Sequence, residues 1–529
     1  MTSSESVDLA RSTATMTALT LVSRVTGMVR NVVVVAVLGV TFLGNTYESA
    51  NTVPNLLFEL IAAGVLQAVL IPTLVDLIAN GDDDEAEHVA RSVLGLAGGA
   101  LAVLAGLGFL AAPLVMHLLV SGAPDAHIRS QEIHLGTILL WFFLPQVVLY
   151  ASNMVATGVL NARGHFAVPV VAPLLNNVVV TASYLVFAWM RHGAAPSLDL
   201  TGGQTVVLGL GTTLGVVTFC LAPVVVAVRS GTSLKPRFDW HHPGVRRIAR
   251  LGGWAAVFLA ATNALLLVVL VLANHVEGGV VAWNLGFTIF LLPHSLIALP
   301  VLTALFPTMA RHASTRDDES YRRTVTSGLR AIAYLVLPAA AAMLALSLGM
   351  ARVLQLGHYH RHGVTAVAAA VAAFGPGLVG YGTYLFLVRA LYARGDTRTP
   401  ALVNLGVVGG AGVAMVASFA LVHGDARIAA LAGSHSAAYL VGAAVLFVLT
   451  GARAGAVARA LGASVAAAAV AGVVMWLVGR PLAGPGRIHS LVELAAAGLV
   501  GVAVYAAAAA ALGGPRPRQV PALLRGHDG

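Results

Sequence analysis

The stretch SVLGLAGGALAVLAGLGFLAAPLVMHLLV, Ser92 to Val120, runs for 29 residues without an Asp, Glu, Lys or Arg. About 18 such residues are enough to cross a hydrocarbon layer as a helix. Only a helix or a closed barrel satisfies its own backbone N–H and C=O groups there, where no water can. Comparable runs follow one another along the whole chain. Its 529 residues are 58% hydrophobic and 10% charged, and its mean hydropathy is +0.85, too apolar for a soluble protein of this length. The expected fold class is an all-α polytopic membrane protein.

Hydropathy places about fourteen spans, centred near residues 25, 62, 105, 142, 178, 215, 262, 296, 335, 378, 410, 438, 468 and 500. An even number leaves both termini on one side. With the termini in the cytoplasm, the inner loops receive Arg229, Lys235, Arg237, Arg246, Arg247 and Arg250, then Arg311, Arg316, Arg322 and Arg323. The outer loops hold sparser arginines, among them Arg129, Arg191 and Arg427. That bias predicts a multi-pass protein of the cell (cytoplasmic) membrane with both termini cytoplasmic. The formal charge of +9 comes from these loops, and no basic-aromatic stripe points to nucleic acid. The single cysteine, Cys220, lies in an apolar run and is expected to pack there, which leaves no disulfide or metal cluster to build. The start, MTSSESVDLARSTATM, lacks a basic n-region and a cleavage pattern, so the first helix is expected to be retained.

Two internal echoes organise the chain. ARGHFAVP (Ala162 to Pro169) matches ARGDTRTP (Ala393 to Pro400) at Ala, Arg, Gly and Pro, with an offset of 231 residues. IPTLVDLIANGDDDE (Ile71 to Glu85) matches FPTMARHASTRDDES (Phe306 to Ser320), a Pro-Thr followed at equal distance by acids, with an offset of 235. Six expected spans separate each pair, so the copies share one orientation and the repeat is parallel. The expected organisation is a six-helix lobe over 1–235, a second over 236–454, and two appended helices with a cytoplasmic tail over 455–529. No connection much exceeds about 20 residues, which excludes a soluble catalytic domain.

Polar residues inside apolar spans mark function, because an ionisable group at the bilayer centre costs at least about 2.5 to 3.5 kcal/mol to insert. They concentrate in the first two spans. In LVSRVTGMVRN, Ser23 and Arg30 fall in one seven-apart row, and Arg24 and Asn31 in the adjacent one. Together these make a polar sector about 120° wide, with the guanidiniums about 9 Å apart along the axis. In the second span, NTVPNLLFELIAAGVLQAVLIPTL (Asn51 to Leu74), Asn51, Asn55 and Glu59 share one face with Glu48. One cationic stripe thus faces one of amides and carboxylates, and Glu59 is expected to pair with an arginine. The plainer reading, both arginines snorkelling to opposite surfaces, does not account for the matching stripe. Pro54, Gly64 and Pro72, with Gly27 in the first span, are the expected bends or close-packing points. GLGTTLG (Gly209 to Gly215) carries no lysine and lies in an apolar span, so it predicts close helix packing, not a phosphate loop. DDDE (Asp82 to Glu85) is expected to cap the next helix. No catalytic or metal constellation is present; no cofactor is expected, and the protein reads as a transporter, not an enzyme.

The run SRVTGMVRN, followed by ANTVPNLLFELIAAGVLQAVLIPTL, resembles the signature of the MurJ/MviN lipid II flippase family in the multidrug/oligosaccharidyl-lipid/polysaccharide exporter superfamily. Ser23, Arg24, Gly27, Arg30, Pro54, Asn55, Gly64 and Pro72 carry the likeness, supported by both ARG turns and by LLPHSLIALPVLTALFPTMAR (Leu291 to Arg311). The resemblance implies fourteen helices in two lobes that move the undecaprenyl-pyrophosphate-linked peptidoglycan precursor to the outer leaflet. It further implies a central cationic cavity and a lipid-tail groove formed by the last two spans. Arg24 and Arg30, with Ser23, Asn51, Asn55 and Glu59, are the implied head-group contacts, since the guanidinium fork suits phosphate oxygens. The implied partners are lipid II, membrane lipids and cell-wall synthesis proteins. Phe58 and Glu59 stand where many members carry a basic pair, and Asn45, Ala63 and Thr288 where the family has Asp, Glu and Arg. These departures suggest a divergent, actinobacterial-type branch. Some members bind sodium through second-lobe acids that this sequence lacks. An exporter of another lipid-linked polysaccharide, or a non-transporting cell-wall scaffold, is the alternative.

Overall fold

The structure, a computed structural model, describes residues 3–65, 70–359, 361–424, 426–484, 486–515 and 517–523; side chains at 3–18, 20, 21, 61–65, 243–252, 361, 362, 517, 520 and 521 are not described. The described residues form helices in the order α1 (Ser3–Leu38), α2 (Phe42–Val65), α3 (Ile71–Ala79), α4 (Asp83–Leu119), α5 (Ala126–Phe143), α6 (Gln146–Ala162), α7 (Ala167–Arg191) and α8 (Gly202–Arg229). There follow α9 (Pro243–Ala273), α10 (Gly279–Pro293), α11 (Leu299–Ser314), α12 (Asp318–Ala345), α13 (Ser347–Val353) and α14 (Arg361–Ala393). The last are α15 (Arg398–Leu421), α16 (Ala426–Thr450), α17 (Ala454–Leu482), α18 (Arg487–Ala511) and the short α19 (Val520–Leu523).

Among the described residues, 12 helical segments are long and apolar enough to cross a membrane. They coincide with the third to fourteenth expected spans. At the first two expected positions the chain forms α1 and α2, which are not among the 12. Of the stretch expected as a second span, the described residues form α2 up to Val65 and α3 from Ile71, with Pro72 in the first turn of α3. Pro is tolerated there because the first N–H groups of a helix have no intrahelical partner. The fourth span likewise comprises α5 and α6, which meet at Leu144 and Pro145. The eighth carries a π-helical turn, His294–Ala298, between α10 and α11.

The chain divides into two compact units: Met1–Asn263 with Leu356–His358, and Ala264–Gln355 with Tyr359–Gly529. In the first, Leu70, Leu74, Ala90, Leu101, Val147, Ala151 and Val155 form a buried core. The glycines of GLGTTLG pack as expected: a Cβ at Gly209 would stand 2.4 Å from Phe142 of α5, and one at Gly211 2.2 Å from Ser183 of α7. Cys220 is 1% exposed and packs with Tyr150 and Val216. In the second unit, α17 and α18 lie on α12, where Ala467, Ala471, Tyr505 and Ala509 bury Tyr334, Leu337 and Ala341. The Tyr505 hydroxyl donates to the Tyr334 carbonyl at 2.7 Å.

Both echoes fold alike. After α6 the Arg163 and Gly164 turn closes with His165 N–H on the Leu160 carbonyl at 2.8 Å, and after α14 Asp396 N–H reaches Leu391 at 3.1 Å. Gly164 and Gly395 take φ of +79° and +77°, the left-handed C-cap that glycine adopts without steric cost. In the second pair, Asp82 N–H bonds Leu77 at 3.0 Å and Asp317 N–H bonds His312 at 3.0 Å. Gly81 turns this corner at φ +82°, whereas its counterpart is Arg316 at +56°. The caps differ: Asp317 accepts from Ser320 N–H, while Asp82 occupies the N-cap without a side-chain bond.

Candidate functional site

The polar sector of α1 is built against α7. Asn177 Nδ2 donates to the Ser23 carbonyl at 3.3 Å and to Thr26 Oγ1 at 3.3 Å. Gly27 leaves room for this amide, since a Cβ there would stand 3.4 Å from Asn177 Nδ2. One heptad further along both helices Arg30, half-buried, lies close enough to Tyr184 of α7, Tyr47 of α2 and Tyr150 of α6 to act on them electrostatically. It also donates to Asn31 Oδ1 at 3.3 Å. The seven-apart row of Ser23 and Arg30 therefore turns into the unit. Arg24, one step around the helix, is exposed beside Val22, Val25 and Met28.

On α2 the expected face forms. Asn55 Nδ2 donates to the Asn51 carbonyl at 2.9 Å, and Asn55 Oδ1 accepts from the Tyr150 hydroxyl at 3.1 Å. Phe58 stacks on the same tyrosine at 4.7 Å between ring centroids. Glu59 is exposed and bonds the side chain of Asn263, which also reaches the Leu56 carbonyl at 3.5 Å. Among the described residues Glu59 thus meets an amide from α9, and no arginine pairs with it. Pro54 is buried inside α2 and leaves the Ala50 carbonyl without its usual helical donor. Gly64 falls within α2, with its surroundings and those of Ala63 outside the described residues.

Several buried polar groups behind this face were not singled out by spacing. Thr212 donates to the Leu208 carbonyl at 2.8 Å, so Tyr47 donates to Thr212 at 2.7 Å and accepts from Tyr184 at 2.7 Å. One hydroxyl proton per residue then runs in a single direction across α7, α2 and α8. Glu132 of α5 is fully buried, with Thr46 Oγ1 3.1 Å from its Oε1 and, among the described residues, no partner for its Oε2. Its place in RSQEIHLG, at the edge of a span, reads as loop by composition; an acid at helical spacing from buried Leu135 and Leu139 was the available signal.

Outside the spans, the segment after α8 folds back along the start of α4. His88 Nε2 stands 3.1 Å from Asp239 and His242 Nε2 2.9 Å from Glu85. The His88 pairing, with N–H groups of His241 and His242, holds the Asp239 carboxyl below the usual carboxylate range.

The family model described as lipid II flippase MurJ matches residues 34–497. The chain is 28% identical over 407 residues to the probable lipid II flippase MurJ of Haemophilus influenzae, covering 74% of this chain and 76% of that one. To the lipid II flippase MurJ of Burkholderia cenocepacia it is 28% identical over 409 residues, covering 76% and 77%. Among solved structures it is similar to a lipid II flippase MurJ in an inward closed conformation, with a TM-score of 0.74 at 16% identity over 94% of this chain and 98% of that one. An inward-facing multidrug resistance MATE family transporter of the MOP superfamily gives 0.64 at 14% identity, covering 83% and 95%. These structural likenesses concern the fold.

Proposed function

Because the chain belongs to the lipid II flippase MurJ family, whose model it matches from residue 34 to residue 497, we propose that it carries lipid II from the inner to the outer leaflet of the cytoplasmic membrane by alternating access. That match is the observation on which the reading stands. The protein is a multi-pass membrane transporter and not an enzyme.

Arg24 and Arg30 take the pyrophosphate or neighbouring head-group charges, and Ser23, Asn51, Asn55 and Glu59 complete the polar contacts. The support is local: Arg24 is exposed, and the Asn51 to Glu59 face is ordered by Tyr150 and Asn263. Gly27, Pro54, Gly64 and Pro72 serve as the points at which α1, α2 and α3 change shape. Cell-wall synthesis proteins are candidate partners, and both termini are assigned to the cytoplasm.

The direct test measures the accessibility of labelled lipid II at the outer leaflet, with and without the protein. Increased exposure is expected. Unchanged exposure would instead favour export of another lipid-linked polysaccharide. In cells depleted of their own flippase, Arg24→Ala and Arg30→Ala are expected not to restore growth. Full restoration by both would remove the arginines from the site and leave the family assignment intact.

A further inference from the structure

We propose that residues 232–242 form a strap that binds an acidic phospholipid of the leaflet at the α4 N-terminal end. The chain leaves α8 and crosses back over α4, a helix far from it in sequence. Arg237 N–H donates to the Arg91 carbonyl at 3.0 Å, Arg91 Nε donates to the Lys235 carbonyl at 3.1 Å, and Ser233 N–H donates to Glu87 at 3.3 Å. The approach is close enough that a Cβ at Gly95 would stand 2.0 Å from the Arg237 carbonyl. Two clasps, His88 with Asp239 and His242 with Glu85, complete the attachment. The strap is therefore fixed in one course.

What it presents is ordered along α4 from water toward hydrocarbon. Acids 82–85 begin the helix, and Arg91 and Gly95 follow at the level of the strap backbone. Beyond them Leu96, Gly99, Ala100, Val103 and Leu104 line a trench of about 650 Å³ with Phe238 and Trp240. From Arg91 to Val103 the helix advances about 18 Å, roughly the depth from a head group into the acyl chains. Phe238 and Trp240 are 73% and 67% exposed. In a soluble loop such exposure would be unfavourable; at a membrane interface it is where aromatic anchors belong.

Charge identifies the occupant. The acids that face the strap are engaged, Glu85 by His242, Asp239 by His88, and Glu87 by Arg91 and Ser233 N–H, while Asp82, Asp83 and Asp84 are exposed at the start of α4, away from the trench. Lys235 and Arg237 are exposed, and neither side chain makes an ion pair among the described residues. Two cations above an apolar trench match a negatively charged head group above an acyl chain. The strap continues into α9, the helix within which the chain passes from the first compact unit to the second.

The test uses the full-length protein in nanodiscs of equal phosphatidylglycerol and phosphatidylcholine, with retained lipid counted by native mass spectrometry. The wild type is expected to retain phosphatidylglycerol in preference. Lys235→Gln/Arg237→Gln is expected to lose about fivefold of that preference per charge removed, and Arg237→Lys to keep it. Phe238→Ser/Trp240→Ser is expected to retain less of both lipids. An absence of preference in the wild type, or an undiminished preference in a Lys235→Gln/Arg237→Gln protein that melts like the wild type, overturns the proposal.

Discussion

Tyr150 shows what spacing leaves out at the scale of single residues. Asn51, Asn55 and Glu59 fall on one face by counting at 100° per residue, but the side chains that order them, Tyr150 and Asn263, come from distant segments. Tyr150→Phe removes one hydrogen bond to Asn55 and keeps the ring stack on Phe58. A loss of about 1 kcal/mol is expected, read as a lower melting temperature in detergent, with a smaller effect on lipid II exposure than Arg24→Ala. Among the described residues Glu59 meets Asn263 where an arginine was expected, because sequence reveals which groups are charged, not which amide a later helix brings beside them. The rows of Arg24 and Arg30 were legible, and the structure separates them further, one turned toward three tyrosines and the other exposed. The family match begins at residue 34, after both arginines, so their role rests on their chemistry and on complementation.

Asp239 gives a pH prediction at the same scale. Its carboxyl is held low in the folded protein by His88 and two backbone N–H groups. The ionised form is therefore favoured by folding, and the contribution is present above the ordinary carboxylate pKa of about 3.9 and is lost as the pH falls through the lower folded value. Protection from hydrogen exchange in residues 232–242, relative to the intrinsic amide rate at each pH, should fall below about pH 4 in the wild type. Asp239→Asn should exchange faster already at pH 7 and vary less over that acid range. Equal exchange of the two proteins at neutral pH would count against the clasp.

Among the elements, the echoed corners before α4 and α12 form an internal control. Gly81 and Arg316 occupy equivalent positions with positive φ, and a side chain pays roughly 1–2 kcal/mol for that conformation. Arg316→Gly should therefore raise the unfolding free energy by about 1 kcal/mol, while Gly81→Arg should lower it. The caps offer the complementary pair: Asp317→Ala should cost about 1 kcal/mol, and Asp82→Ala, which breaks no side-chain cap, clearly less. Thermal unfolding of the four variants under one condition checks the set. These corners were readable because a turn needs particular residues at fixed offsets. The break at Leu144 and Pro145 and the π-helical turn at His294 were not, since the surrounding hydropathy stays that of a span and reports only burial in lipid.

For the whole molecule, hydropathy located twelve spans that the described residues bear out as long apolar helices, and the first two expected positions hold α1 and α2, whose side chains are described only in part. Orientation is open to a chemical test, because the single Cys220 is 1% exposed and should stay silent toward a membrane-impermeant maleimide. Pro236→Cys is expected to react only once the inner face is accessible, and Ser197→Cys on intact cells. The reverse pattern would invert the assigned topology.

The glycine row of α8 also bears on mechanics. With its backbone seated on Phe142 and Ser183, α8 has no compressible side-chain layer between itself and α5 or α7, so these three helices are geared together like one stiff blade. Any working stroke must then be absorbed by segments that lack such gearing, which directs attention to α2, where Pro54 interrupts the helical hydrogen-bond ladder.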